Sequence, residues 1–136
     1  MALSVWVGRE RFELGDAAFL KAFFSTVFAK IEAEDWGRSF PVLMRDLYSG
    51  RLSPEKVPTA AEELSRLREE LKAHRPSDVV WDFEDRTRRP PWGNDISPHI
   101  TSLANYFVTS DGKDLLEVLQ NALTVAAQKH QDVVIR

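Results

Sequence analysis

Three histidines, His74, His99 and His130, and a carboxylate cluster of Asp78, Asp82, Glu84 and Asp85 are the side chains in this chain best suited to moving a proton. Histidine does so because its ordinary pKa lies near neutrality. His99 follows close behind Asp95 in a segment with aromatic surroundings and is read as the histidine with a carboxylate neighbour. His74 is expected in the last turn of one helix and His130 just after another, where a cation complements the helix dipole without any active site. The plainer reading of His99 is structural as well. In a strand Asp82 and Glu84 would share one face, yet neither the calcium-loop pattern nor a two-histidine zinc spacing accompanies them. They read as an acidic edge paired with Arg86, Arg88 and Arg89. No Gly-rich phosphate cradle, no GxSxG elbow and no cysteine is present, so no catalytic residue, metal or other cofactor is expected.

The same carboxylates open the segment WDFEDRTRRPPWGNDIS, Trp81 to Ser97, which carries two of the four tryptophans. Tryptophan and arginine are the residue types that concentrate binding energy at protein interfaces. Asp82, Glu84, Asp85, Arg86, Arg88, Arg89 and Trp92 are therefore the candidate partner-binding residues. Trp81, Pro90, Pro91 and Gly93 read as a structural motif: paired prolines fix φ, Gly93 permits a turn, and Trp92 anchors the excursion to the core. The Pro90–Pro91 peptide is open to either isomer.

Composition narrows the partner. The chain has 136 residues, 43% of them hydrophobic and 29% charged, which suits one domain spanning residues 1–136 with a core of its own. A net charge of −3 argues against nucleic acid, whose binding needs a basic patch, and favours a basic partner. Glu32, Glu34, Asp35, Asp82, Glu84 and Asp85 are the acids that would steer it. Lys21, Ser25, Thr26 and Lys30 interrupt the apolar stretch Ala17 to Ile31, so it is expected to be a core helix; a membrane span needs roughly 20 apolar residues. The start of the chain lacks a basic stretch followed by an apolar core of signal-peptide length, so a cytoplasmic location is expected.

The elements that must position these residues follow from periodicity. Leu3 to Val7 reads as a first strand. Asp16 caps a helix to about Glu34, whose buried stripe is Leu20, Phe23, Phe24, Val27, Phe28 and Ile31. Phe40 to Tyr48 reads as a short helix, and a capping box from Thr59 to Glu62 starts another that runs to about His74. Val79 to Trp81 and Tyr106 to Thr109 read as strands, with a helical turn at Ile100 to Ala104. A last helix, capped by Ser110 or Asp111, covers about Lys113 to Lys129 before a strand at Asp132 to Ile135. The fold class is α+β: a single two-layer domain with a small mixed sheet of about four strands packed by three to four helices.

Trp81-Asp82, Arg89-Pro90-Pro91-Trp92-Gly93 and ITSLANYFVTSDG from Ile100 to Gly112 together resemble a family of bacterial immunity proteins, immunity protein 70. The likeness extends over nearly the whole chain. It implies a small α+β protein encoded beside a polymorphic toxin, which protects a cell from the cytosol by binding the cognate toxin domain, without catalysis or cofactor. It carries no catalytic residue to this chain; the matching positions are Trp81, Asp82, Pro90, Pro91, Trp92 and Gly93. Two alternatives stand beside it, a small enzyme using the loop carboxylates and His99, and a regulatory domain binding a small ligand between the sheet and the proline loop.

Overall fold

A computed structural model of the chain describes residues 2–136. Strand β1 (Ala2–Val7) turns at Gly8, whose φ of +60° suits the first position of a two-residue hairpin, and returns as β2 (Glu10–Asp16). The second strand was not expected, although its signal is present: Phe12 and Leu14 alternate with Arg11 and Glu13. A bulge opposite Leu3 and Ser4 interrupts the register. Gly15 then takes φ +117°, and a Cβ there would lie 3.0 Å from the Ser110 amide nitrogen. That amide donates to the Leu14 carbonyl at 3.1 Å, so the Ser110 loop covers part of the outer edge of β2.

Asp16 caps α1 (Ala17–Thr26) by accepting from the Ala18 amide at 2.8 Å. The helix continues as a wider π-helical segment, Val27–Ile31, and stops where Ala33 and Glu34 both take positive φ. The predicted Phe40 to Tyr48 helix is a second π-helical segment, Val42–Leu47. A two-residue strand, β3 (Arg51–Leu52), precedes a 3₁₀ turn and α2 (Val57–Leu71). The predicted capping box is overturned: Thr59 and Glu62 lie inside α2, which starts beside Pro58, and Glu62 pairs with Arg66 at 3.0 Å. Proline sets φ for the first turn, which moves the start two residues upstream of Thr59. α3 (Leu115–Lys129) is capped by Asp114, not by Ser110 or Asp111, and ends on His130 in the left-handed conformation. β4 (Val133–Ile135) completes the sheet.

The sheet order is β2-β1-β4-β3, and every pairing is antiparallel rather than mixed. The α+β class stands, with four strands, but two of the four differ from those expected. Val79 to Trp81 is not a strand; it follows a 3₁₀ turn at Pro76–Asp78, and Thr26 takes up the polar groups of Val80. Tyr106 to Thr109 pairs only with the approach to α3, through a bridge between Val108 and Asp114. Ile100 to Ala104 is a turn held by Asn105, whose side-chain oxygen accepts from the Thr101 and Ser102 amides while its NH₂ donates to the His99 carbonyl.

α3 lies against β1, β2 and β4, and α2 packs on α3 and on the Val42–Leu47 segment. Phe23, Phe24, Phe40, Leu103 and Phe107 are fully buried in one core with the inner face of the sheet. Among the described residues no helix is long and apolar enough to cross a membrane.

Candidate functional site

Two hydroxyls at the end of α1 hold the start of the Trp81 to Ser97 segment. Ser25 and Thr26 are both fully buried. The Thr26 hydroxyl accepts from the Val80 amide at 3.0 Å and lies 3.1 Å from the Val80 carbonyl, sharing its hydrogen with the Ala22 carbonyl at 2.8 Å. The Ser25 hydroxyl accepts from the Phe83 amide at 3.0 Å. Side chains on a helix thus do for this backbone what a neighbouring strand does in a sheet.

Asp82 follows as a hub. Its side chain is 8% exposed, and it takes the Glu84 amide at 2.9 Å, Lys21 at 3.3 Å and Arg88 at 3.2 Å. The Glu84 amide, helped by Lys21 and Arg88, holds the Asp82 carboxyl below the usual carboxylate range. Lys21 also meets Glu84 at 2.5 Å, which raises the lysine pKa, and stands over the Phe83 ring. Asp85 accepts from the Thr87 hydroxyl and amide, and these bonds lower its pKa. Arg86 reaches back to Glu34. Glu32 is fully buried and accepts from the Ser39 and Phe40 amides, so it presents no charge to a partner. Of the three arginines expected to pair with the acidic edge only Arg88 does so, at Asp82; Arg86 goes to Glu34, Arg89 to backbone carbonyls, and Lys21 supplies the second cation for Asp82 and Glu84.

The far end of the segment is fastened by aromatic packing. The Trp92 ring stands at 90° to Trp81 with centroids 5.5 Å apart and edge-on to Phe19 at 5.1 Å. Its Nε1–H donates to the Tyr106 hydroxyl at 2.8 Å. Burial pushes the Tyr106 pKa up. Pro90 is buried, Pro91 and Gly93 are exposed, and the Pro90–Pro91 bond is trans. Trp92 remains 36% exposed, beside the exposed Glu84, Asp85, Arg86, Arg88 and Arg89.

Between the Pro76–Asp78 turn and the returning loop lies a cleft of about 970 Å³. Trp81, Val79, Val80 and Tyr106 supply its apolar lining, and its cations are Lys30, Arg75, Arg86, Arg88 and Arg89, against the single carboxylate of Asp78. Lys30, Arg75, Ser25, Thr26 and Tyr106 were not among the predicted site residues. Ser25 and Thr26, two hydroxyls on an otherwise apolar helix face, were the available signal; nothing local marked Lys30 or Arg75.

The histidines are dispersed. His99 is exposed, and its hydrogen bonds are made by its backbone, with Ser97 and Asn105. The histidine that does meet a carboxylate is His74, with Nδ1 3.7 Å from Asp78. Among the described residues, no three or more His, Cys, Asp or Glu side chains form a group that could hold a metal ion.

The family model described as Immunity protein 70 matches residues 5–135. No curated protein and no solved structure matches the chain.

Proposed function

This chain belongs to the immunity protein 70 family, and on that premise we propose that it neutralises a cognate bacterial polymorphic or contact-dependent toxin by binding its toxic domain in the cytoplasm. The observation that carries the reading is the family match over nearly the whole chain. The protein acts by association and not by turnover, and it needs no cofactor. Its contact surface is the Trp81 to Ser97 segment: Glu84, Asp85, Arg86, Arg88, Arg89 and Trp92 offer exposed surface, and Asp82 fixes the loop that presents them.

A loop fastened at both ends by Thr26, Ser25 and Tyr106 favours such a role, because its ordering cost falls in folding and not at binding. The experiment is co-expression with the C-terminal domain of the toxin encoded beside this gene. Restored growth and co-purification of a stoichiometric complex are expected; growth arrest with no co-purification would overturn the reading. The cleft supports a second reading, a small-ligand regulatory domain. A metabolite that raises the melting temperature while the toxin domain does not bind would favour it.

A further inference from the structure

We propose that the cleft beside the proline loop receives a carboxylate-rich segment of the partner protein with an apolar side chain at its centre. The inference rests on the immunity reading and specifies the partner's chemistry. It reverses the polarity expected from a net charge of −3.

The reversal comes from where the charges sit. Glu34, Glu84 and Asp82 do not line the cleft and are engaged by Arg86, Lys21 and Arg88. Lys30, on the Val27–Ile31 segment, is exposed with no carboxylate in ion-pair range among the described residues. The Arg89 guanidinium donates to the Arg86 and Arg88 carbonyls, which hold it in place without cancelling its charge. Among the described residues Arg75 meets only the carboxylate of Asp78, at 3.9 Å, which also faces His74. Cations held this way favour carboxylates, and guanidinium groups bind them through a planar fork. The Val79, Val80 and Trp81 wall takes an apolar side chain between them.

A polyanion is the poorer occupant. Nucleic acid needs a basic track that continues along its backbone. Here the basic lining belongs to one cleft on a chain of net charge −3, which makes no such continuous track. A short acidic segment needs no more than the cleft.

The test uses the full chain with Lys30→Glu/Arg75→Glu, neither of which holds the proline loop, and with Arg89→Glu as a second variant. Affinity for the neighbouring toxin's C-terminal domain is expected to fall about tenfold or more near 0.1 M salt, chiefly through slower association. Lys56→Glu/Lys113→Glu, away from the cleft, should leave it within about twofold. Unchanged affinity in Lys30→Glu/Arg75→Glu overturns the proposal and leaves the immunity reading intact. If the wild-type chain does not bind the toxin domain, the immunity reading fails, and a second measurement still decides the cleft. A Glu-rich pentapeptide with a central leucine should change the tryptophan fluorescence saturably, with a lysine-rich counterpart inert and the response lost in Lys30→Glu/Arg75→Glu. No response to the acidic peptide, or tighter binding of oligothymidylate, overturns the proposal.

Discussion

The Trp92 indole donates to a buried tyrosine hydroxyl while its ring packs on Phe19 and Trp81, and its outer edge remains exposed. Packing and exposed surface therefore meet in one side chain, and graded substitution separates its structural role from the proposed binding role. Trp92→Phe keeps most of the packing and loses the N–H bond, so urea denaturation should show a loss of about 1 kcal/mol. Trp92→Ala removes both and should cost about 2–4 kcal/mol, below a fully buried tryptophan because the residue is partly exposed. A loss of toxin binding in the still-folded Phe variant would mark the exposed edge as a contact. Thr26 gives a second residue-scale expectation. Thr26→Val is nearly isosteric but leaves the Val80 amide and carbonyl without their partner, which should cost about 1–3 kcal/mol by the same denaturation. Thr26→Ser should recover most of it.

The elements near the site are short and irregular because side chains, more than ladders, complete their hydrogen bonds. The Val42–Leu47 segment is held at its start by Glu63 of α2, a buried carboxylate that accepts from the Val42 amide at 3.3 Å and the Leu43 amide at 3.0 Å. Glu32 does the same one step earlier for Ser39 and Phe40. Glu63→Ala orphans both amides and opens a void at the contact with α2, so thermal melting should show a loss of about 2–4 kcal/mol; Glu63→Gln, with one accepting oxygen left, should lose about half as much. Glu63 was hard to read from sequence, since a glutamate among alternating acids and arginines looks like solvated surface. The α1 stripe was easier: Phe23, Phe24 and Val27 recur at helical spacing and are all buried. Val79 to Trp81 misled for the opposite reason. β-branched and aromatic residues fit any half-buried extended backbone, whether or not a strand lies beside it.

Across the molecule, two aspartates give the pH dependence opposite slopes. Asp82 is held below its ordinary pKa by the Glu84 amide, Lys21 and Arg88, so the folded state binds its proton less readily than the unfolded chain. Its stabilisation is complete above the ordinary carboxylate range and is lost as pH falls from about 4 through the depressed value. Asp114 is raised, first by burial, with Arg68 and the Leu116 amide opposing. Its contribution is favourable in acid and is lost as pH rises from about 4 through the raised value. Melting temperature followed from pH 2 to 7 should therefore fall less steeply below about pH 4 in Asp82→Asn, and Asp114→Asn should remove a decline on the less acidic side. Identical profiles for wild type and both variants would contradict this account.

By itself the sequence determined what is written in local spacing: the α+β class, the first and last strands, α1 with its Asp16 cap, the bodies of α2 and α3, and the family likeness carried by Trp81-Asp82, Pro90-Pro91-Trp92-Gly93 and the stretch up to Gly112. Only the tertiary structure decided which charges are spent. Lys21 lies far from Asp82 in the chain, Glu34 far from Arg86, and Thr26 far from Val80, and each pair meets because α1 and its π-helical extension run beside the loop. A list of charges gives a sum, and an acidic sum pointed to a basic partner. The fold pairs Asp82, Glu84 and Glu34 with cations and sets Lys30, Arg75 and Arg89 around one cleft, and it is this local excess that the proposed partner segment would meet.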